Sequence, residues 1–266
     1  MKEMTYTELR EVQVNILQYI HNFCVENNIK YSLAYGTLLG AVRHGGYIPW
    51  DDDIDIAMLR EDYERFIALF NDENRVYEVY ECRKNKDYKV AFAKVCDTRT
   101  LIDERANTKK IGVFVDVFPI DDLCDTYEES LEMFNNYRDM RLVVQVKGRL
   151  IGDVKKTWKK VLMALLKVKY LFCDVNSKIC NANLKLATNQ CPASKYVGLV
   201  VDGKKNEIVE RLVWSEYSPV NFEGRTFLAV KNADLYLRHA YGDYMKLPPK
   251  EQQIPKHDFD AIYWKD

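Results

Sequence analysis

Between Trp50 and Met58 the chain places four carboxylates in five positions, Asp51, Asp52, Asp53 and Asp55, and follows them with Ile56, Ala57 and Met58. In a strand, side chains two apart share a face, so Asp53 and Asp55 project together while Ile54 and Ile56 point to a core. Two carboxylates held about 4 Å apart repel by about 4 kcal/mol at an effective dielectric near 20. A divalent cation removes that penalty, and an oxygen-only donor set favours Mg²⁺ or Mn²⁺ over zinc. The competing reading is a solvated acidic turn, but the acids alternate with isoleucine rather than with Gly or Ser. Upstream lies Gly36-Thr37, a turn ahead of a short helix, which offers backbone N–H groups and a hydroxyl to a phosphate. A Gly-Thr pair alone carries little information; followed by Asp-x-Asp on a strand, it makes a two-part nucleotide site.

Other residues could serve the same chemistry. Arg43, His44 and Trp50 fall between the Gly-Thr turn and the acidic strand. Arg43 suits a phosphate, and His44 suits an acceptor hydroxyl that must be oriented or deprotonated. Salt bridging and loop capping are their structural alternatives, and Trp50 either covers the site or anchors the loop. Lys94 is a lone cation in the apolar run Phe92-Ala93-Lys94-Val95, paired with a nucleotide phosphate or, on an edge strand, reaching solvent. His257 and the turn Tyr241-Gly242-Asp243 belong to a tail that either closes over the site or simply caps a helix. Residues 155–172 hold a basic amphipathic segment, with Trp158, Val161, Leu162, Leu165 and Leu166 on one face and lysines mostly opposite. It fits an anionic membrane surface or, as most amphipathic helices do, a core.

The elements that must position these groups can be read from periodicity and capping. Thr5-x-x-Glu8 has the form of a capping box, and a helix should run from there to about residue 27. Strands are expected at 31–35, 54–59, 76–80, 90–96 and 111–118, with Pro119 ending the last. Short helices should occupy 38–43 and 62–70. Asp121 and Asp122, past the proline, read as loop or capping acids. Beyond residue 125 the pattern is mainly helical, at 126–149, 155–172 and on to about 189. A hairpin follows at 222–230, then a helix from Asn232 to Tyr241 with Gly242 at its C-terminal cap, and an irregular tail. The whole reads as α+β with a mixed sheet, a catalytic half at 1–125 and a mainly helical half at 126–266 packed on it.

Composition narrows the function classes. With 39 Lys+Arg against 40 Asp+Glu the net charge is -1, so no nucleic-acid partner is expected. The opening residues carry no apolar signal segment, and no run approaches a membrane span. Seven scattered cysteines fit reduced thiols in a cytoplasm. Cys173, Cys180 and Cys191 form a loose group with poor zinc spacing.

The stretch YGTLLGAVRHGGYIPWDDDIDIAM resembles the signature of the LicD family, which includes the fukutin-related proteins. GVFVDVFPID and the tail YGDYMKLPP…KHDF resemble later blocks, so the likeness spans about residues 20–260. It implies a nucleotidyltransferase fold. It also implies transfer of phosphocholine from CDP-choline to a cell-surface glycan such as teichoic acid, lipopolysaccharide or a capsule precursor. Carried onto this sequence, the Gly-Ser/Thr element falls on Gly36 and Thr37, and the metal-binding, catalytic acids on Asp53 and Asp55. The third carboxylate of the fold falls on Asp116, which alternates correctly between Val115 and Val117. A quaternary ammonium is held by aromatic faces, so Trp50, Tyr47 and Tyr35 become candidates for the choline end. The resemblance leaves open ethanolamine, ribitol or glycerol phosphate as the group moved, true nucleotidyl transfer, and a catalytically silent scaffold. A glycan acceptor carried on lipid would place the enzyme at the inner face of the plasma membrane.

Overall fold

A computed structural model describes residues 1–70, 76–104, 111–188, 194–255 and 259–265. Helix α1 (Tyr6–Glu26) opens on the expected capping box: Thr5 accepts from the Glu8 N–H, and the Glu8 carboxylate accepts from the Thr5 N–H. Its apolar side, including Leu9, Ile16, Leu17 and Ile20, is fully buried. Among the described residues, the central sheet has seven strands. Its main path runs β2 (Ser32–Leu33), β3 (Asp55–Leu59), β7 (Phe114–Asp122), β5 (Ala93–Asp97), β4 (Tyr77–Tyr80). Only β3 and β7 on this path run parallel; their neighbours are antiparallel, which makes the sheet mixed as expected.

Two strand expectations need correction. The 31–35 strand is only Ser32–Leu33, because α2 (Tyr35–His44) begins earlier than residue 38 and takes Gly36 and Thr37 into its first turn. Pro119 does not end the third long strand either: β7 continues to Asp122. N–H groups alternate sides along a strand, and the Asp116 N–H donates to Ile54 on the β3 side. Pro119 therefore turns its missing donor toward the other edge, where β5 pairing has already stopped at Val117. Past the proline that edge pairs instead with β8 (Tyr196–Gly198), which pairs with β9 (Val209–Glu210). Asp121 is consequently no loop acid. It is buried on the Arg60 guanidinium, with Nε donating to Oδ1 at 2.7 Å, and accepts the Val200 N–H. Arg60 opens helix α3 (Arg60–Leu69).

The second half holds α4 (Tyr127–Asn136) and α5 (Arg138–Gly148), one expected helix broken at Tyr137, then α6 (Thr157–Lys169) and α7 (Val175–Thr188). The hairpin β10 (Tyr217–Phe222) and β11 (Arg225–Val230) turns through Glu223 and Gly224, both at positive φ. Helix α8 (Ala233–Tyr241) stops at Gly242 with φ 71°, as expected. The tail is not irregular throughout. Strand β12 (Phe259–Trp264) pairs on one side with β1 (Lys2–Glu3) and on the other with β6 (Thr100–Glu104). A strand joined to partners more than 150 residues away leaves no local turn signal, which is why it escapes a reading along the chain. Cys173 and Cys180 are free thiols; Cys191 and His257 lie outside the described residues.

Candidate active site

The parallel register of β3 and β7 sets Asp55 beside Asp116, and the antiparallel register of β7 and β5 sets Lys94 on Asp116's other side. Three chemistry-bearing side chains thus form one row across three adjacent strands. Lys94 is not on an edge, since β4 lies beyond it, and it is buried. Its Nζ donates to Asp116 Oδ1 at 2.6 Å and lies 3.3 Å from the centre of the Phe114 ring. A buried ammonium needs such a partner, and the contact also fixes the rotamer of Asp116.

Asp53 lies just ahead of β3 rather than in it. Its carboxylate groups with those of Asp51 and Asp52, with oxygens of all three within 4.8 Å of one another. This acidic rim offers oxygen donors only, which suit a hard divalent cation, and Asp55 and Asp116 lie side by side on β3 and β7 beyond it. Asp51 leans over the N-terminal turn of α2: a Cβ at position 36 would collide with its carboxylate, so this close approach requires Gly36. Thr37 accepts the backbone N–H of Asp55 on Oγ1 at 2.8 Å, and Asp55 O accepts the Ala34 N–H, so the Gly-Thr element is clamped to the acidic strand. Tyr35, between them, sits at φ 45°, a left-handed conformation that non-glycine residues adopt at a cost.

The acidic loop is held from behind by α1, a support that sequence reading missed. Arg10 donates to the carbonyls of Ile48, Pro49 and Asp51, and the Tyr6 hydroxyl also donates to Asp51 O. Gln13 Nε2 donates to Asp52 O at 2.9 Å, while Gln13 Oε1 accepts from the Tyr47 hydroxyl at 2.8 Å. Tyr47 is buried between Arg10 and Phe222, so its ring faces the interior rather than a ligand. Trp50 is half-buried against the core.

Arg43 and His44 are in the last turn of α2, not in a loop, at the opposite end of the helix from Gly36. Arg43 Nη1 donates to Tyr244 O at 2.6 Å, and Arg43 Nε donates to His44 Nε2 at 2.9 Å. Partial burial, and then the Arg43 charge, lower the His44 pKa, which keeps the imidazole neutral at pH 7. The structure sets Asp55, Asp116 and Lys94 in one row, ties Thr37 to Asp55 and Gly36 to Asp51, groups Asp53 with Asp51 and Asp52 just ahead of that row, and sets Arg43 and His44 apart.

A second group reaches the rim from the far half of the chain. The Tyr35 hydroxyl donates to Glu207 Oε2 at 3.0 Å, and its ring lies 6.4 Å from that of Tyr236. Burial raises the Glu207 pKa, against the lowering effect of the Tyr35 bond. The Tyr241 phenol is raised by burial and by its neighbours Tyr236, Asp55, Asp51 and Glu207. Asp202 is exposed at the residue level, but its carboxyl is pushed up to about 6, first by loss of hydration, then by the charges of Glu207 and Asp116, with Arg141 and Lys94 opposing. Asp202, Glu207 and Tyr236 stand in no motif that spacing alone could single out, whereas Tyr241 opens the tail turn expected to close over the site or cap a helix.

Comparison with known proteins identifies relatives of the chain. Residues 28–145 match the nucleotidyltransferase domain described as LicD/FKTN/FKRP. The lipopolysaccharide cholinephosphotransferase LicD of Haemophilus influenzae is 34% identical over 269 residues, covering 98% of this chain and 99% of that protein. An uncharacterised protein of Rickettsia typhi, RT0683, is 32% identical over 54% of this chain and 44% of its own length. The human ribitol 5-phosphate transferase FKRP is 42% identical, but over only 17% of this chain and 9% of that protein. A likeness at that identity along nearly the whole of both chains, on a sheet that sets Asp55 beside Asp116, means that this chain belongs to the LicD family of transferases.

Proposed function

We propose that the protein moves phosphocholine from CDP-choline to a hydroxyl of a cell-surface glycan and releases CMP, with Mg²⁺ or Mn²⁺ as cofactor. The observation that carries the reading is the row Asp55, Asp116, Lys94 beside the acids of the 51–53 loop. It occurs in a chain similar from end to end to a lipopolysaccharide cholinephosphotransferase. Asp53, Asp55 and Asp116 would hold the cation, joined by Asp51, and once bound it would neutralise charge on the diphosphate. The acceptor oxygen attacks the phosphorus that bears choline, the bond to the bridging oxygen breaks, and CMP leaves with the electron pair. The acceptor proton passes to Asp116, whose bond from Lys94 orients it. Backbone N–H groups at Gly36 and Thr37 receive the diphosphate at the start of α2.

The head group is matched by the tyrosines. A trimethylammonium cannot donate a hydrogen bond and is held by aromatic faces and nearby negative charge. Tyr35 and Tyr241, with Tyr236 packed behind Tyr35 and with Glu207 and Asp202 nearby, would supply both, next to the acids. The same carboxylates and phenols would also receive the hydroxyls of ribitol or glycerol phosphate, so the choice of choline rests on the end-to-end likeness to a cholinephosphotransferase.

The test is CMP release and thermal shift with Mg²⁺ and CDP-choline, CDP-ethanolamine, CDP-ribitol, CDP-glycerol or CTP, on wild type and Asp55→Asn. CDP-choline should shift the melting temperature and be turned over. Asp55→Asn should lose activity on the order of a thousandfold, since several kcal/mol of charge stabilisation goes with the carboxylate. It should still melt cooperatively. Turnover of a different donor alone would move the head-group assignment. A folded wild type that binds none of these donors would refute the reading.

A further inference from the structure

Helix α6 is amphipathic in the reverse sense. None of its residues is buried, and Trp158, Val161, Leu162, Leu165 and Val168 are 62%, 58%, 47%, 63% and 72% exposed. Phe172, just past its end, is 97% exposed. At 3.6 residues per turn the five helical side chains fall within an arc of roughly 120°. The side that packs on the protein is carried by Met163 and Leu166 instead. A surface helix ordinarily shows water its polar side; this one shows its apolar stripe.

Charge identifies what covers that stripe. Between Val154 and Cys173 stand Lys155, Lys156, Lys159, Lys160, Lys167 and Lys169, with no Asp or Glu, in a chain whose net charge is -1. Lys155, Lys156, Lys159 and Lys169 are exposed. A second copy of the same face would bring like charges together, and an ordinary acidic protein surface would not bury a continuous aromatic and aliphatic ridge. Anionic lipid satisfies both parts at once: acyl chains take the ridge, and phosphates take the ammonium groups. Among the described residues no helix is long and apolar enough to cross a membrane, and α6 has 13 residues, so it would lie in the plane of the surface. We propose that α6, with Phe172, docks the protein on an anionic lipid bilayer. The argument needs no assumption about the reaction, although a lipid-borne glycan acceptor would be met at the same surface.

The experiment is flotation of the full chain with vesicles of phosphatidylcholine alone or with roughly one phosphatidylglycerol in three lipids, at low and high salt. Wild type should float with the anionic vesicles at low salt, at least about tenfold better than with neutral ones, and be released by salt. Its tryptophan emission should shift to the blue on binding and lose that shift in Trp158→Ala. The double variants Leu165→Glu/Val168→Glu and Lys159→Glu/Lys160→Glu should each stop floating while keeping the wild-type melting temperature and CMP release from a soluble donor. A wild type that melts cooperatively yet ignores anionic vesicles at low salt would overturn the proposal. So would self-association of wild type without lipid that Leu165→Glu/Val168→Glu abolishes, which would make the face a contact between copies. Loss of donor turnover with vesicle binding intact would bear on the reaction and leave the docking face standing.

Discussion

Helices α1 and α6 are both amphipathic, and they point their apolar stripes in opposite directions. In α1 the stripe enters the core, where Leu9, Ile16, Leu17 and Ile20 lose almost all contact with water, and the helix presents Tyr6, Arg10 and Gln13 to the acidic loop. In α6 the stripe is left outside. Periodicity announces a helix with an apolar side but does not say which way that side faces. The charges do: α1 mixes acids and bases, whereas α6 carries four lysines and no acid, with Lys155 and Lys156 just ahead of it. Polar residues of one sign along an apolar stripe mark a helix meant for a charged, apolar-backed phase rather than for its own core.

The contrast can be broken most directly by equal truncations. Ile16→Ala should cost about 2–5 kcal/mol, because it opens a cavity in a close-packed core. Leu165→Ala should stay within about 0.5 kcal/mol of wild type. Denaturant unfolding of the two variants reads the difference, and similar losses would mean that α6 is packed after all.

A smaller effect sharpens the role of α1 as a brace for the acids. In Gln13→Leu the Asp52 carbonyl and the Tyr47 hydroxyl each lose a partner, at about 1–3 kcal/mol of stability. Turnover should fall by about tenfold to a hundredfold, since small misplacement of reacting groups is costly. Steady-state kinetics at a temperature where the variant is fully folded would check it. Leu165→Ala should leave turnover of a soluble donor untouched.

The smallest expected effect is a change in the slope of stability with pH. The Asp202 carboxyl titrates near 6 in the folded chain against 3.8 ordinarily, so between those values the folded state holds a proton that the unfolded chain has given up. Its favourable share is complete below about pH 4 and is lost as pH rises through 6. Asp202→Asn should therefore match wild type near pH 4 and melt higher than wild type at pH 7. Melting curves at the two pH values measure this, and an equal difference at both would remove Asp202 from the neighbourhood of Glu207 and Asp116.

Much of the molecule was legible along the chain because its signals are local. The capping box of α1, the glycine that stops α8 and the alternation of Asp55 and Asp116 with apolar neighbours each need only a few consecutive residues. What escaped depends on distant partners. Pro119 looked like a stop because the strand's missing donor could not be assigned to an open edge without knowing where β5 ends. Asp121 read as a loop acid until Arg60 was seen beside it. Asp51 joins the acidic rim by lying close over Gly36, and Asp202, Glu207 and Tyr236 arrive from more than 80 residues further along. The row of Lys94, Asp116 and Asp55 depends on strand register, which no spacing in the sequence encodes.

The change of partners along β7 has a consequence for how such an enzyme can diversify. Up to Pro119 the strand is committed to β3 and β5, the neighbours that align Asp55 and Lys94 with Asp116. Beyond it the same strand holds β8, and the segment after β8 carries Asp202 and Glu207. The row of Asp55, Asp116 and Lys94 and the carboxylates beside the tyrosines are thus mounted on separate stretches of one rail. On the proposed reading, substitutions after β8 would alter which head group is accepted while the acids keep their alignment, so new donors would be explored without rebuilding the reaction.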